Sequence, residues 1–449
     1  MQPFKIIVGN TGGESQVGEP EKRTESEKRK KSIVANRLVW LANPGDILVL
    51  PFQIRREFVN YSLRLRGHAP DTVRVITPPG DKDSVRILTY ATLSDATLIR
   101  EIGQAMASSP TWSVVPYCFD RAVANLTLKL SGYGKIVAPA LAFFREGGAE
   151  VFNSKVEFRR IAEAHRIPVA KGHNCYSADE LVLAVEELLS ETGSVIIKQD
   201  LNAGGKGNVV VSRAPRKSEA LGASSTMVID ATNDVREVWG NMTGSRNVAL
   251  VVESYHEVLN VFYSEFEIPM PSESPYLLNY GDMRMEPVWN GFQIPSETLS
   301  LQQAGEFVAV SAALAEIAQR RGYTGKINID GILTDEGHVL ITEINGRLGG
   351  CTHIHELTRI LYGDNYASRY AIVTRNNCRP AQQDFNDLLE ILEARGFLIK
   401  RPGQQGMIIA TEDLSNSGTI EYIVVAEDVQ QAHEIEEVCM RAIEWKERI

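Results

Sequence analysis

The sequence predicts a multidomain protein of α/β and α+β layers, and three observations predict it. At 449 residues the chain is long for one small core, so two or three domains are the prior. The first third alternates short apolar runs (FKIIVGN, DILVLPF, VRVIT) with helical stretches, which is the rhythm of an α/β layer. The tail from residue 379 reads instead as a helix, two strands (GMIIATED, TIEYIVVAE) and a closing helix.

Taken in order, the α/β layer is expected over residues 1–148, ending at FFREGG. Within it, EPEKRTESEKRKK (19–31) mixes both charges and reads as a solvated helix face leading into SIVANRLVWLA. Arg55, Arg56, Arg64 and Arg66 read as a second solvated face, with a seat for a peptide's carboxylate end as the alternative. Residues 149–250 form the next unit. It holds a helix from Lys155 to His165 and a helix SADELVLAVEELLSETG, with Ser177 as N-cap and Glu180 three positions later as a capping box. Two strands, SVIIK and NVVVS, flank the loop QDLNAGGKG, and NVALVVESY is a further strand. Residues 251–378 are expected to hold a loop-rich insertion (269–297), a long amphipathic helix SLQQAGEFVAVSAALAEIAQRRG and the hairpin KINIDGILTD/HVLITEIN. The last unit, 379–449, is a small α+β extension.

Bulk properties narrow the function. A net charge of −10 argues against nucleic acid as a partner. No basic segment with an apolar stretch opens the chain, and no apolar run reaches membrane-spanning length. Five cysteines without CxxC spacing read as reduced, buried thiols, so a cytoplasmic protein without a membrane partner is expected. A homodimer is the default assembly.

The stretch EINGRLGG (343–350) carries the chemistry. Side chains alternate faces in a strand, so Glu343, Asn345 and Arg347 project from one side and Leu340 and Ile344 from the other. A tight turn at Asp335-Glu336-Gly337-His338 sets Asp330 opposite Glu343 and Asn328 opposite Asn345. Like charges directly opposed are destabilising, and a divalent cation would cancel them. All-oxygen ligands favour Mg²⁺ or Mn²⁺ over zinc. An exposed polar hairpin end is the alternative. The loop before Asn208 holds Gly204, Gly205, Lys206 and Gly207. It lacks the GK[ST]-to-helix geometry of a P-loop and the GxGxxG of a dinucleotide fold, and reads as a flap between strands, with Lys198 just before it.

In this order, Lys155 opening a helix before RIPVA, IIK before a Gly-rich flap, VVES, and D-x12-E-x-N with an Arg two beyond resemble the ATP-grasp enzymes, over about residues 150–350. The N-terminal layer is similar to the domain that usually precedes that fold. The resemblance implies ATP and one or two Mg²⁺ ions as cofactors. Lys155 and Lys198 would bind the α- and β-phosphates, and the flap with Gly204, Gly205 and Lys206 would close over the β,γ-phosphates. Backbone groups at Glu253 and Tyr255 would read the adenine edge, while Asp330, Glu343 and Asn345 would hold the metal. Arg347, with Lys198, would stabilise the transferring phosphoryl group. Two positions depart from the pattern: Asn260 stands where many relatives place a ribose-binding Glu, with Glu257 as a substitute, and Asn328 stands where some carry Arg.

The implied chemistry is phosphorylation of a carboxylate to an acyl phosphate, with ADP released, then attack by an amine. GRLGGCTH resembles the stand-alone carboxylate–amine ligases, and the overall length with its α+β tail resembles the pheganomycin-type peptide ligase of antibiotic biosynthesis. That likeness implies a guanidino-bearing amino acid coupled to a peptide or amino acid. Tyr276, Tyr280, Met283, Met285, Trp289 and Phe292 would suit an aromatic acid. Asp282 and Glu286 would meet a cation, and Arg284 and Gly349 would contact substrate; an ordinary packed loop competes with this reading. His353 and His355, without a third ligand, read as loop caps rather than a zinc site. A non-catalytic ATP-binding protein, or a ligase with another acid and nucleophile, are the alternatives.

Overall fold

The computed structural model describes residues 3–443 except 18–19, 21–22, 82–83, 203–204, 206, 217 and 245–247. Among these, three sheets form. The first is parallel and five-stranded, β1 (Phe4–Val8), β2 (Ile47–Val49), β3 (Arg74–Ile76), β4 (Thr111–Pro116) and β5 (Lys135–Val137), in the order β3-β2-β1-β4-β5. Ile6, Ile7, Val8, Leu48 and Val49 have no exposure, the continuous apolar burial that helices on both faces demand. The strand order reverses between β1 and β4, which opens a crevice at their C-terminal ends. The loop after β1, GNTGG, lies there.

The second sheet, β6 (Gly172–Cys175), β7 (Ser194–Gln199), β8 (Asn208–Ser212), β9 (Ser225–Val228) and β10 (Leu250–Ser254), runs β6-β10-β7-β8-β9. Helices α1 (Lys155–His165) and α2 (Ala178–Thr192) accompany it, with the limits expected from sequence. The Ser177 hydroxyl accepts from Glu180 N as expected, but Glu180 Oε2 accepts from Tyr176 N, one residue earlier than a capping box places it.

The third sheet is eight-stranded: β15-β14-β11-β12-β13-β16-β18-β17. Its strands are β11 (Val258–Ile268), β12 (Tyr276–Met285), β13 (Trp289–Ile294), β14 (Gly325–Thr334), β15 (Val339–Asn345), β16 (Ala371–Cys378), β17 (Gly406–Asp413) and β18 (Thr419–Ala426). Helices α3 (Leu301–Arg320), α4 (Thr352–Tyr362) and α5 (Val429–Ile443) pack on it. The stretch expected as an insertion loop is thus mostly two strands. Its Tyr, Met, Trp and Phe residues favour a half-buried sheet, a signal that the Gly, Asn and Pro among them obscure. The tail makes no sheet of its own. Every residue of β17 and β18 is buried, so these strands need cover on both faces, and they find it by extending the large sheet. A single core cluster accordingly joins Trp40 and Phe58 of the first layer to Phe385 and Tyr422 of the tail.

Residues 25–32 are a helix with a Thr24–Glu27 capping box, running into a 3-10 helix Ile33–Leu41. Arg66 departs from the solvated face expected of it. It is 8 % exposed and donates to the carbonyls of Val39, Trp40, Ala42 and Ser62, tying the helix Arg56–Leu65 to that 3-10 segment. All five cysteines are free and buried. No helix among the described residues is long and apolar enough to cross a membrane.

Candidate active site

The β14–β15 hairpin pairs Asp330 with Glu343 and Asn328 with Asn345, the register expected from sequence. The route to it differs. Leu333 pairs with Val339, one step off the expected register, around a three-residue turn with Gly337 at φ 85°. A bulge at Thr342 then restores the count, because Gly331 faces Ile341 while Asp330 faces Glu343. The bulge also changes which face each residue takes. Val339, Ile341 and Ile344 share one core cluster, so Leu340 does not share a face with Ile344, as strict alternation had implied.

Around this pair the described cations converge. Lys155 Nζ, 5 % exposed, lies 3.3 Å from Glu343 Oε2 and donates to the Asn202 carbonyl. Asn345 Nδ2 donates to Asp330 Oδ2 at 3.2 Å. Among the described residues the Arg347 guanidinium makes no hydrogen bond or ion pair. Burial, and then the Glu343 charge, push the Asp330 carboxyl well above the usual carboxylate range. Burial acts on Glu343 in the same sense, but Lys155, Arg347 and Lys198 outweigh it and hold Glu343 low. A carboxylate pair in this condition, with an amide beside it, is a hard-oxygen donor set that fits Mg²⁺ or Mn²⁺. No third His, Cys, Asp or Glu joins it among the described residues, so phosphates and water would complete the shell.

Two cavities meet at Asp330 and Glu343, with Met283 and Trp289 also common to both walls. One lies between the second sheet and the hairpin, lined by Ile196, Lys198, Gly205, Glu253, Tyr255 and Ile332 among others. Lys198 Nζ sits 2.5 Å from Glu253 Oε2, and Arg159 Nη1 bonds Glu253 Oε1 at 3.0 Å. These bonds engage both oxygens of the Glu253 carboxylate. Tyr255 is fixed by its hydroxyl bond to the Leu221 carbonyl and by Arg216, 4.6 Å above its ring. Gly204 and Lys206 lie outside the described residues. Asn260 donates to Thr298 and Glu257 pairs with Arg216, and neither lines this cavity.

The other cavity draws on three distant segments: Thr11, Gln16, Lys30, Lys31 and Arg37 from the first layer; Tyr263, Phe292, Asn345, Arg347 and Gly349 from the middle; Thr411, Thr419 and Glu421 from the tail. A Cβ on Gly349 would fall 2.3 Å from Asn328 Oδ1, so only glycine lets the loop pass. Arg284 is elsewhere. It holds Glu436 of α5 in a two-bond pair and donates to the Thr374 carbonyl, which corrects the expectation of a substrate contact there. Asp282 accepts from Ser296, Thr298 and the Glu297 amide, and Glu286 pairs with Arg375, so neither is placed to meet a substrate cation. Tyr276 is 52 % exposed, whereas Met283, Trp289 and Phe292 do reach the wall. Both ring nitrogens of His353 are buried without a hydrogen bond, and burial holds the ring neutral; His355 Nδ1 meets the Tyr366 hydroxyl.

Three sheets in this arrangement match solved structures along their whole length. N5-carboxyaminoimidazole ribonucleotide synthetase from Thermus thermophilus superposes with a TM-score of 0.56, covering 99% of this chain and 100% of that one at 11% identity. Biotin carboxylase from Campylobacter jejuni superposes with a TM-score of 0.57, covering 98% and 92% at 13% identity. Residues 35–131 match the Pre ATP-grasp domain family. The chain has the ATP-grasp fold. Residues 387–438 of this ATP-grasp chain match the PGM1 C-terminal domain family. A curated relative, the [butirosin acyl-carrier protein]–L-glutamate ligase of Niallia circulans, is 25% identical over 253 residues, which are 54% of this chain and 53% of that protein. The chain thus spans about half the length of the curated relative it matches.

Within the ATP-grasp frame, sequence reasoning passed over several residues. Across the sheet Asn345 faces Asn328, Asn328 faces Glu265 and Glu265 faces Asn279, a polar row over four strands. Glu265 is fully buried, bonded by Asn279 and Thr352. Arg37 and Glu421 were also missed. Each is a lone charge in an apolar run, IVANRLVWL and TIEYIVVA, and each finds its partner in the other, with Arg37 Nε 2.7 Å from Glu421 Oε2.

Proposed function

We propose that the chain is an ATP-dependent carboxylate–amine ligase, which phosphorylates a carboxylate at the expense of ATP and couples it to an amine with release of ADP and phosphate. The observation that carries this reading is the Asp330–Glu343 pair at the seam of two cavities, with Lys155 paired to Glu343, Lys198 in one wall, and in the other wall Arg347, whose guanidinium makes no hydrogen bond among the described residues. A pure nucleotide binder has no use for a free guanidinium on the far side of its metal carboxylates.

Asp330, Glu343 and the Asn345 amide would hold Mg²⁺, which would supply neutralisation of phosphate charge. Lys155 and Lys198 would neutralise phosphate charge from the nucleotide side; their present contacts, Glu343 and Glu253, hold both ammonium groups in place. Arg347 would bind the substrate carboxylate and the equatorial oxygens that gain charge as the phosphoryl group moves, then the oxyanion formed when the amine attacks. The first-layer and tail segments would close the substrate cavity and keep water from the acyl phosphate.

The relative's name pairs an amino acid, L-glutamate, with a carrier protein, and an amino-acid-type carboxylate is the acid we propose here, with the amino group of a peptide or amino acid as acceptor. A guanidino-bearing acid of antibiotic biosynthesis would find one carboxylate in the wall away from the metal pair, Glu421, already bonded by Arg37. The test is nucleotide analysis after incubating the protein with Mg-ATP, pooled acids and short peptides. ADP and phosphate that accumulate only with acid and amine together are expected. AMP and pyrophosphate would overturn the reading.

A further inference from the structure

We propose that Arg37 binds a second carboxylate, one the reaction does not activate, so that one of the two substrates carries a free carboxylate besides its reacting group. The inference rests on the ligase reading for the existence of those substrates, and on the site for the rest. Arg37 sits in the 3-10 segment Ile33–Leu41 and is 7 % exposed. Its Nε donates to Glu421 Oε2, and its guanidinium carbon stands 5.3 Å from the centre of the Trp289 ring. These contacts fix the plane of the fork and use one of its N–H donors. The guanidinium is ion-paired with Glu421 through Nε, its two Nη atoms donate no hydrogen bond to a described residue, and the side chain forms part of the cavity wall. A buried guanidinium, held rigid with its Nη edge unengaged, fits the planar, two-pronged geometry of a carboxylate.

The surrounding charge points the same way. Away from the metal pair and Arg347, the described residues of the wall carry Lys30, Lys31 and Arg37 against Glu421. Lys31 Nζ also reaches Asn202 Oδ1 at 3.4 Å. The Trp289 face, the natural seat for a substrate cation, is taken by Arg37 itself. An anion is therefore favoured at this end. It has two chemical sources: the side-chain carboxylate of a dicarboxylic acid substrate, or the terminal carboxylate of the amine.

Calorimetry on the full chain, with and without a magnesium complex of a non-hydrolysable ATP analogue, separates them. L-Glutamate against L-glutamine forms the acid arm, and glycylglycine against glycylglycine amide the amine arm; ADP release is measured with the same compounds and ATP. The wild type is expected to prefer the free carboxylate by about 10- to 100-fold in one arm. Arg37→Gln should abolish that preference in the same arm, with nucleotide binding kept as the check on folding. Should Arg37→Gln not fold, Arg37→Lys, which keeps the charge and loses the fork, should lower the preference several-fold. No preference in either arm, or one that survives both substitutions, overturns the proposal and leaves the ligase reading standing. No ADP release from any pair counts against the ligase reading instead, and the binding arms, which need no turnover, then decide on Arg37.

Discussion

The two cavities that meet at Asp330 and Glu343 are built in opposite ways. The wall proposed for the nucleotide comes from residues 170–343, a single run of chain in which Lys198 meets Glu253 across neighbouring strands and Asp330 meets Glu343 across a hairpin. The substrate-side wall joins residues 11–37 to 411–421 across the large sheet, and its central charged pair spans |i−j| = 384. A wall made of local pairings can hold one fixed chemistry while a wall assembled from remote segments changes. The difference teaches where to look for a reaction common to many proteins, and where for the substrate peculiar to one.

Substitutions can break or sharpen that contrast. The largest effect is expected at the seam, where Asp330→Asn should lower turnover by about 1,000-fold or more by removing a proposed metal ligand. The same change relieves two opposed carboxylates, so the melting temperature in EDTA should rise rather than fall; a fall would mean the pair is structural. Next, Arg347→Met should cut kcat by roughly 100- to 1,000-fold and leave the nucleotide Kd unchanged, since Arg347 lines the substrate side only. Equal losses in kcat and nucleotide affinity would dissolve the division between the walls. Lys198→Met should do the reverse, raising the KM for ATP by about 10-fold with the KM for the acid unmoved.

Smaller effects are expected away from both walls. Arg284→Met should leave kcat and both KM values alone while costing about 2 kcal/mol in urea unfolding, because it strands Glu436 under Tyr422 and His433. Asp120 offers the smallest shift, and one tied to pH. It bonds Asn10 and Ser15, neighbours of the substrate-side residues Thr11 and Gln16, and burial pushes its carboxyl up to about 6. Its folded pKa is raised, so its contribution is present below about pH 4 and is lost as pH rises through 6. Melting curves should therefore show Asp120→Asn gaining on the wild type by on the order of 1 kcal/mol between pH 4.5 and 7. A gap independent of pH would place that carboxyl in contact with water.

Legibility followed the same division. The hairpin register could be counted from its ends because antiparallel pairing is arithmetic, although the count reached Asp330–Glu343 only because the turn and the Thr342 bulge offset each other. Helices α1 and α2 were readable from their caps and apolar spacing. Arg37 and Glu421 carried the same mark as Glu343, a lone charge inside an apolar run. Nothing in either run says which distant charge answers it, because that depends on β18 entering the large sheet beside β16. Arg284 misled for the converse reason: its partner, Glu436, lies on a helix whose docking no local pattern announces. The strands within 269–297 were hidden by their own turn-forming residues.

Because β17 and β18 close the substrate wall, the order in which the chain leaves the ribosome becomes an order of competence. Once Glu343 has emerged, every residue of the nucleotide wall has been synthesised, whereas Glu421 and the strand that carries it are still to come. On the proposed reading, a growing chain carries the residues for its nucleotide before those that would enclose its substrate. On the proposed reading, an acyl phosphate formed without that enclosure would stand open to hydrolysis. If the chain is a ligase, late arrival of the tail means that the enclosed site cannot exist before β18 has been made.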